Sequence, residues 1–124
     1  MKIAIVGSRN CFKEDYEIIC KYIPKEASEI VSGGASGIDS LAKKYAIEHN
    51  LLYKEFLPKY DEVENKKIAP ILRNREIVNY SDAVLAFWDG ESRGTSDTIN
   101  YSIKEQKPIQ IYILKYEREK TQGC

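Results

Sequence analysis

The chain has 124 residues, 43% hydrophobic and 31% charged, with 19 basic and 19 acidic side chains and a formal net charge of zero. That length makes one domain whose core needs no disulfide or metal staples, and the balanced charge argues against a polyanion binder. No apolar run reaches the length of a membrane span, the N-terminus carries no cleavage pattern of small residues, and Cys11, Cys20 and Cys124 are too scattered for a disulfide framework or a zinc site, so a reducing, cytoplasmic setting is expected.

Residues 2–6 (KIAIV) are rich in β-branched side chains and nearly all apolar, as in a strand buried on both faces, and Gly7 ends them. Residues 14–23 carry Ile18, Ile19, Tyr22 and Ile23 at helical spacing, and Pro24 stops them. A short strand at 29–32 runs into Gly33 and Gly34. Residues 38–49 show the clearest helical stripe, Ile38, Leu41, Ala42, Tyr45, Ala46 and His49, with Asn50 as its C-terminal cap. Residues 51–57 read as a third strand and 60–67 as a polar loop. Residues 68–80 read as a helix whose apolar face is Ile68, Ile71, Leu72 and Val78, with Arg75 on that face and Pro70 in the first turn. A fourth strand (83–88), a turn (89–95), a helix (95–106) and a fifth strand (108–114) follow. Residues 115–124 read as a frayed polar tail.

Five strands alternating with four helices predict an α/β fold, a Rossmann-like three-layer sandwich around a mostly parallel five-stranded sheet, over residues 1–114. Ligands of such sheets bind beyond the carboxyl ends of the strands. Three glycine-bearing turns fall there. They are Gly7, Ser8 and Arg9 after strand one; Gly33, Gly34, Ala35, Ser36, Gly37 and Asp39 after strand two; and Asp89, Ser92, Gly94, Thr95 and Ser96 after strand four. Helix N-termini with close-approaching backbone suit phosphate or carboxylate. The bland reading of any one turn is ordinary turn and cap chemistry, but three on one edge point to a binding cleft. Neither a Walker loop nor a G-x-G-x-x-G after strand one is present.

Gly7-Ser8-Arg9, the run SGGASGID (32–39), Arg73-Asn74 and FWDGESRGT (87–95) together resemble the SLOG superfamily, in particular its small stand-alone YspA-type members. That group includes the core of the DNA-processing protein A (Smf) family and the Lonely Guy phosphoribohydrolases. The resemblance implies a nucleotide-derived ligand of the ADP-ribose, cyclic ADP-ribose or nucleoside-phosphate type, bound by Gly33, Gly34, Ser36, Gly37 and Asp39 on one side and Ser92, Gly94, Thr95 and Ser96 on the other. It also implies a sensor or sequestering role in bacterial or phage conflict signalling. The first alternative is a Lonely Guy-like N-glycosidase, although the catalytic Glu of that family's turn corresponds here to Thr98. The second is a single-stranded DNA-binding module. It is favoured by the Arg73-Asn74-Arg75 run and disfavoured by net neutrality and by Ser36, which stands where that family carries a basic residue. Nucleic acid is thus not expected as a partner.

Candidate acids for glycosidic chemistry are Glu91, Asp39 and Asp89, each with a plainer role: a solvated loop, a helix-dipole acid and a turn starter. Trp88 can stack on a base or simply end a buried strand. One histidine, His49, and dispersed cysteines leave no metal centre, and no cofactor is expected. Among nine tyrosines, Tyr101, Tyr112 and Tyr116 suit an oligomer surface, so a homodimer or higher assembly is expected.

Overall fold

A computed structural model describes residues 1–122. The strands β1 (Lys2–Gly7), β2 (Glu29–Ser32), β3 (Leu52–Glu55), β4 (Ala83–Trp88) and β5 (Ile109–Ile113) form one sheet of order β3-β2-β1-β4-β5. Every pairing is parallel. The helices are α1 (Asp15–Tyr22), α2 (Ile38–Glu48), α3 (Ala69–Tyr80), α4 (Arg93–Lys104) and α5 (Leu114–Gln122). Strand order reverses beside β1, so β1 and β4 flank the switch point where doubly wound sheets hold their ligands.

The period-two pattern of β1 explains the layers. Ile3 and Ile5 enter one apolar cluster with Ile18, Ile19, Ile30, Ile38, Leu85 and Phe87, beneath α1 and α2. Ala4 and Val6 enter a second with Val31, Ile77, Val78, Val84, Ala86 and Ile99, beneath α3 and α4. Each buried Val, Leu, Ile or Phe among them contributes roughly 1.5–3 kcal/mol relative to exposure. Of the edge strands, β3 is largely exposed and β5 half-buried. α4 turns polar side chains inward without leaving them unsatisfied. Thr98 Oγ1 donates to the Gly94 carbonyl at 3.0 Å and Ser102 Oγ to the Thr98 carbonyl at 2.8 Å.

The α/β architecture agrees with the sequence expectation, and four differences have physical causes. First, α3 buries Ala69, Arg73, Asn74, Ile77 and Val78, whereas Ile68, Ile71 and Leu72 are exposed. A buried polar pair has displaced Ile68, Ile71 and Leu72 from the inward face, while Val78 stays buried as expected. Arg75 is exposed and lies over the Tyr101 ring at 5.6 Å. Second, residues 60–67 contain 3-10 turns at Tyr60–Glu62 and, running on one residue, Lys66–Ile68.

Third, the expected tail forms α5. Leu114 is 1% exposed and joins the core beneath α1. Arg118 makes a bidentate pair with the fully buried Asp15, Nε to Oδ1 at 2.8 Å and Nη2 to Oδ2 at 2.6 Å. Cys124 lies outside the described residues. Fourth, Tyr112 is half-buried against the core. Its ring is 4.0 Å from that of Tyr22 and 5.2 Å from that of Phe87. Tyr101 donates to Asn79, and Tyr116 is exposed. Among the described residues no helix is long and apolar enough to cross a membrane.

Candidate functional site

A cleft of about 390 Å³ opens at the carboxyl edge of the sheet, on the side covered by α3 and α4. Of the residues anticipated from sequence, it gathers Gly7, Arg9, Gly33, Ala35, Asp39, Arg73, Asn74, Asp89, Glu91, Ser92, Gly94 and Thr95. Ser8, Gly34, Ser36, Gly37, Trp88 and Ser96 are not in its lining. Val6, Asn10, Pro70, Ile77 and Thr98 also line it and were not anticipated. Helical period alone could have found two of these: Ile77 stands one turn beyond Arg73 and Thr98 one turn beyond Gly94.

Three of the absent residues, Ser8, Gly37 and Trp88, serve the framework. Ser8 is buried; its Oγ accepts from the Asp89 N–H at 3.0 Å and its carbonyl accepts from the Ile38 N–H at 3.1 Å. Gly37 has φ of 78° and abuts the backbone of Ser8 and Arg9, so only glycine serves at the entry to α2. Trp88 Nε1 donates to the Ser92 carbonyl at 3.0 Å and closes the turn after β4.

The floor is built from Arg73, Asp39 and the turn after β2. Arg73 is 9% exposed. Its Nη1 donates to the Gly33 carbonyl at 2.7 Å and its Nε to Asn74 Oδ1 at 3.0 Å. Asn74 reaches across to α4, with Nδ2 3.4 Å from both the Gly94 carbonyl and Asp97 Oδ2. Asp39 is 8% exposed and its Oδ2 accepts from the Ala35 N–H at 3.1 Å. Burial pushes the Asp39 carboxyl up to about 6, against the pull of that N–H and of Arg73. Burial also lowers the Arg73 guanidinium from its ordinary value, with Asp39 opposing.

Asp89 behaves oppositely. Its Oδ1 accepts from the N–H groups of Glu91 at 2.9 Å and Ser92 at 2.8 Å. Desolvation raises its carboxyl, but these N–H groups together with Ser8 outweigh that and hold it below the usual range. The amides expected to await an anion are therefore partly occupied: Asp39 covers Ala35, and Asp89 covers Glu91 and Ser92. At the position of the Lonely Guy catalytic Glu stands Thr98, its hydroxyl already donated to Gly94. Glu91 is exposed, without the burial that tunes a catalytic acid.

Residues 1–59, which carry β1, β2 and the turns that follow them, match the family model of DNA recombination-mediator protein A. No curated protein matches the sequence. Among solved structures, the chain is similar to DNA processing protein A from Helicobacter pylori, described for its unique single-stranded DNA binding mode. The identity is 22%, the TM-score 0.67, and the match covers 90% of this chain and 64% of that one. It is similar also to DNA processing protein A from Streptococcus pneumoniae, at 23% identity and TM-score 0.73, over 89% of this chain and 49% of that one. This chain thus spans less than two-thirds of either neighbour. Their shared architecture agrees with the Rossmann-like fold.

These findings overturn two expectations: a nucleotide-derived small molecule as ligand, and the exclusion of nucleic acid. The matched family is one of DNA recombination, and one neighbour is described as binding single-stranded DNA. The physical reasons lie in the chain itself. Net charge sums the whole surface and does not show where the cations stand; Arg9 and Arg73 both line the cleft, alongside Asp39, Asp89 and Glu91. The turn amides that the sequence leaves open to a guest are held by the protein's own carboxylates.

Proposed function

We propose that this chain is a single-stranded DNA-binding module of the DNA-processing kind, with the sugar-phosphate backbone crossing the mouth of the cleft. The observation that carries this reading is the family match, because the matched residues supply Arg9, Gly33, Ala35 and Asp39 to the cleft. Arg9 is exposed at the rim and free to meet a phosphate. Arg73 holds the floor and adds positive charge beneath it. An open cleft of this size suits a strand running through it, since single-strand binders combine a backbone-tracking groove with sequence-tolerant contacts. The finer placement among the YspA-type members of the SLOG superfamily rests on the turn residues. A cytoplasmic setting, where single strands are handled, goes with the reading.

Fluorescence anisotropy with a labelled oligothymidylate, repeated across salt concentrations, tests it. Binding weakens with salt, duplex of equal length binds less well, and the Arg9→Ala protein binds more weakly with a salt slope reduced by about one. Absence of binding at low salt, or a flat salt response, overturns the reading.

A further inference from the structure

Resting on the single-strand reading, we propose that Asp39 is an internal competitor for the strand's phosphate, so that DNA binding in the cleft takes up one proton at this side chain. A carboxylate oxygen sits on the Ala35 N–H at 3.1 Å, in the field of Arg73 and Arg9, within a cleft open to solvent. Those are the groups that a phosphate oxygen seeks at the mouth of such a turn. The cleft therefore presents its own anion where the guest's anion must arrive, and two like charges cannot both be accommodated cheaply there.

The groups facing Asp39 come from several elements. Arg73 reaches it from α3 and Arg9 from the turn after β1. From β3, Tyr53 feels its charge, and the Tyr53 hydroxyl is held by Ser32 at 2.7 Å and Glu55 at 2.9 Å. Asp89 and Glu91 line the same cleft from the turn after β4. On its own helix, Lys43 leans over the Tyr53 ring at 5.9 Å. Of the acids, Asp39 is the buried one; Asp89 is anchored on two amides and Glu91 is exposed. Burial already holds the Asp39 carboxyl at about 6. An arriving phosphate raises it further, so a proton from solvent adds to Oδ1 or Oδ2. The carboxylate becomes a neutral carboxyl, the Ala35 N–H turns to the phosphate, and the new O–H can donate to it as well.

The test measures oligothymidylate affinity at fixed ionic strength. Affinity rises by roughly tenfold as pH falls from about 7.5 to about 5.5. The Asp39→Asn protein binds without this step, at the tight limit throughout. Calorimetry of the unaltered protein in buffers of different ionisation enthalpy reads the proton directly and needs no variant to fold; uptake approaches one proton per strand bound. Affinity that ignores pH, proton release, or a step that survives in Asp39→Asn overturns the proposal while leaving DNA binding intact. No binding at any pH removes the single-strand reading and the proposal together.

Discussion

Arg73 Nη1 donates to the Gly33 carbonyl at 2.7 Å across 40 residues of sequence, and a Cβ added to Gly33 would stand 2.6 Å from that same nitrogen. One contact thus fixes both the inward turn of α3 and the need for glycine after β2. Gly33→Ala must push the guanidinium aside, at about 1–3 kcal/mol by the usual cost of overpacking, and DNA affinity falls with it. Gly94→Ala meets nothing within 4 Å, in a helix, and is neutral or stabilising by up to about 1 kcal/mol. Urea denaturation of the pair distinguishes them; equal losses would refute this account of the contact.

Arg73→Ala leaves the Gly33 carbonyl and Asp39 without their cation in a buried place. The expected loss is about 2–4 kcal/mol. Arg75→Ala, two residues on and exposed, shifts stability by less than about 0.5 kcal/mol. Chemical denaturation of both proteins reads the difference, and a comparable loss in Arg75→Ala would show that α3 is oriented otherwise.

Asp39 has a raised folded-state value, so the folded protein binds more protons than the unfolded chain between about 4 and about 6. Its ionisation therefore disfavours folding above that window and the penalty vanishes below it. Stability relative to Asp39→Asn falls as pH rises through the window, by about 3 kcal/mol at most. Asp89 carries the opposite sign: its lowered carboxyl favours folding at neutral pH and that contribution is lost on acidification. Thermal melts across pH for the two Asn variants give difference curves of opposite slope. Parallel curves would contradict the geometry.

Asp15 is fully buried, and Arg118 is its bidentate partner from α5. Arg118→Ala strands that carboxylate and costs about 3 kcal/mol. The Phe12 N–H also donates to Asp15, at 2.8 Å, so the turn that carries Arg9 loosens at the same time. Hydrogen exchange reports both effects as faster exchange in α5 and in residues 8–14. Unchanged exchange there would mean that Leu114 and the Tyr22–Glu117 hydrogen bond seat α5 without Arg118.

Much of this was legible in the sequence because burial and periodicity coincide there. β1 and β4 are apolar on both faces, and α2 carries an unbroken stripe capped at Asn50, whose φ of 55° takes the left-handed turn. The three turns of the cleft were visible as glycines at strand ends. Legibility failed where polar residues face inward. In α3, Arg73 and Asn74 point into the molecule beside Ile77 and Val78 and leave Ile71 and Leu72 outside, against the hydropathy pattern. In α5, Leu114 is the one apolar anchor among charges whose partners lie a hundred residues away, as with Arg118 and Asp15. The occupancy of the amides by Asp39 and Asp89 was hidden for the same reason, since spacing shows a carboxylate near a turn but not what it accepts.

β1 lies at the middle of the sheet, with β2 on one side and β4 on the other. The Lys2 carbonyl accepts from the Asp82 N–H, and the register pairs Ile3 with Ala83. During synthesis the apolar ribbon of β1 emerges well before β4, its second neighbour in the sheet. Until β4 arrives, the nascent chain carries one bare edge of β1, with its hydrogen-bonding groups open to chaperones or to other chains.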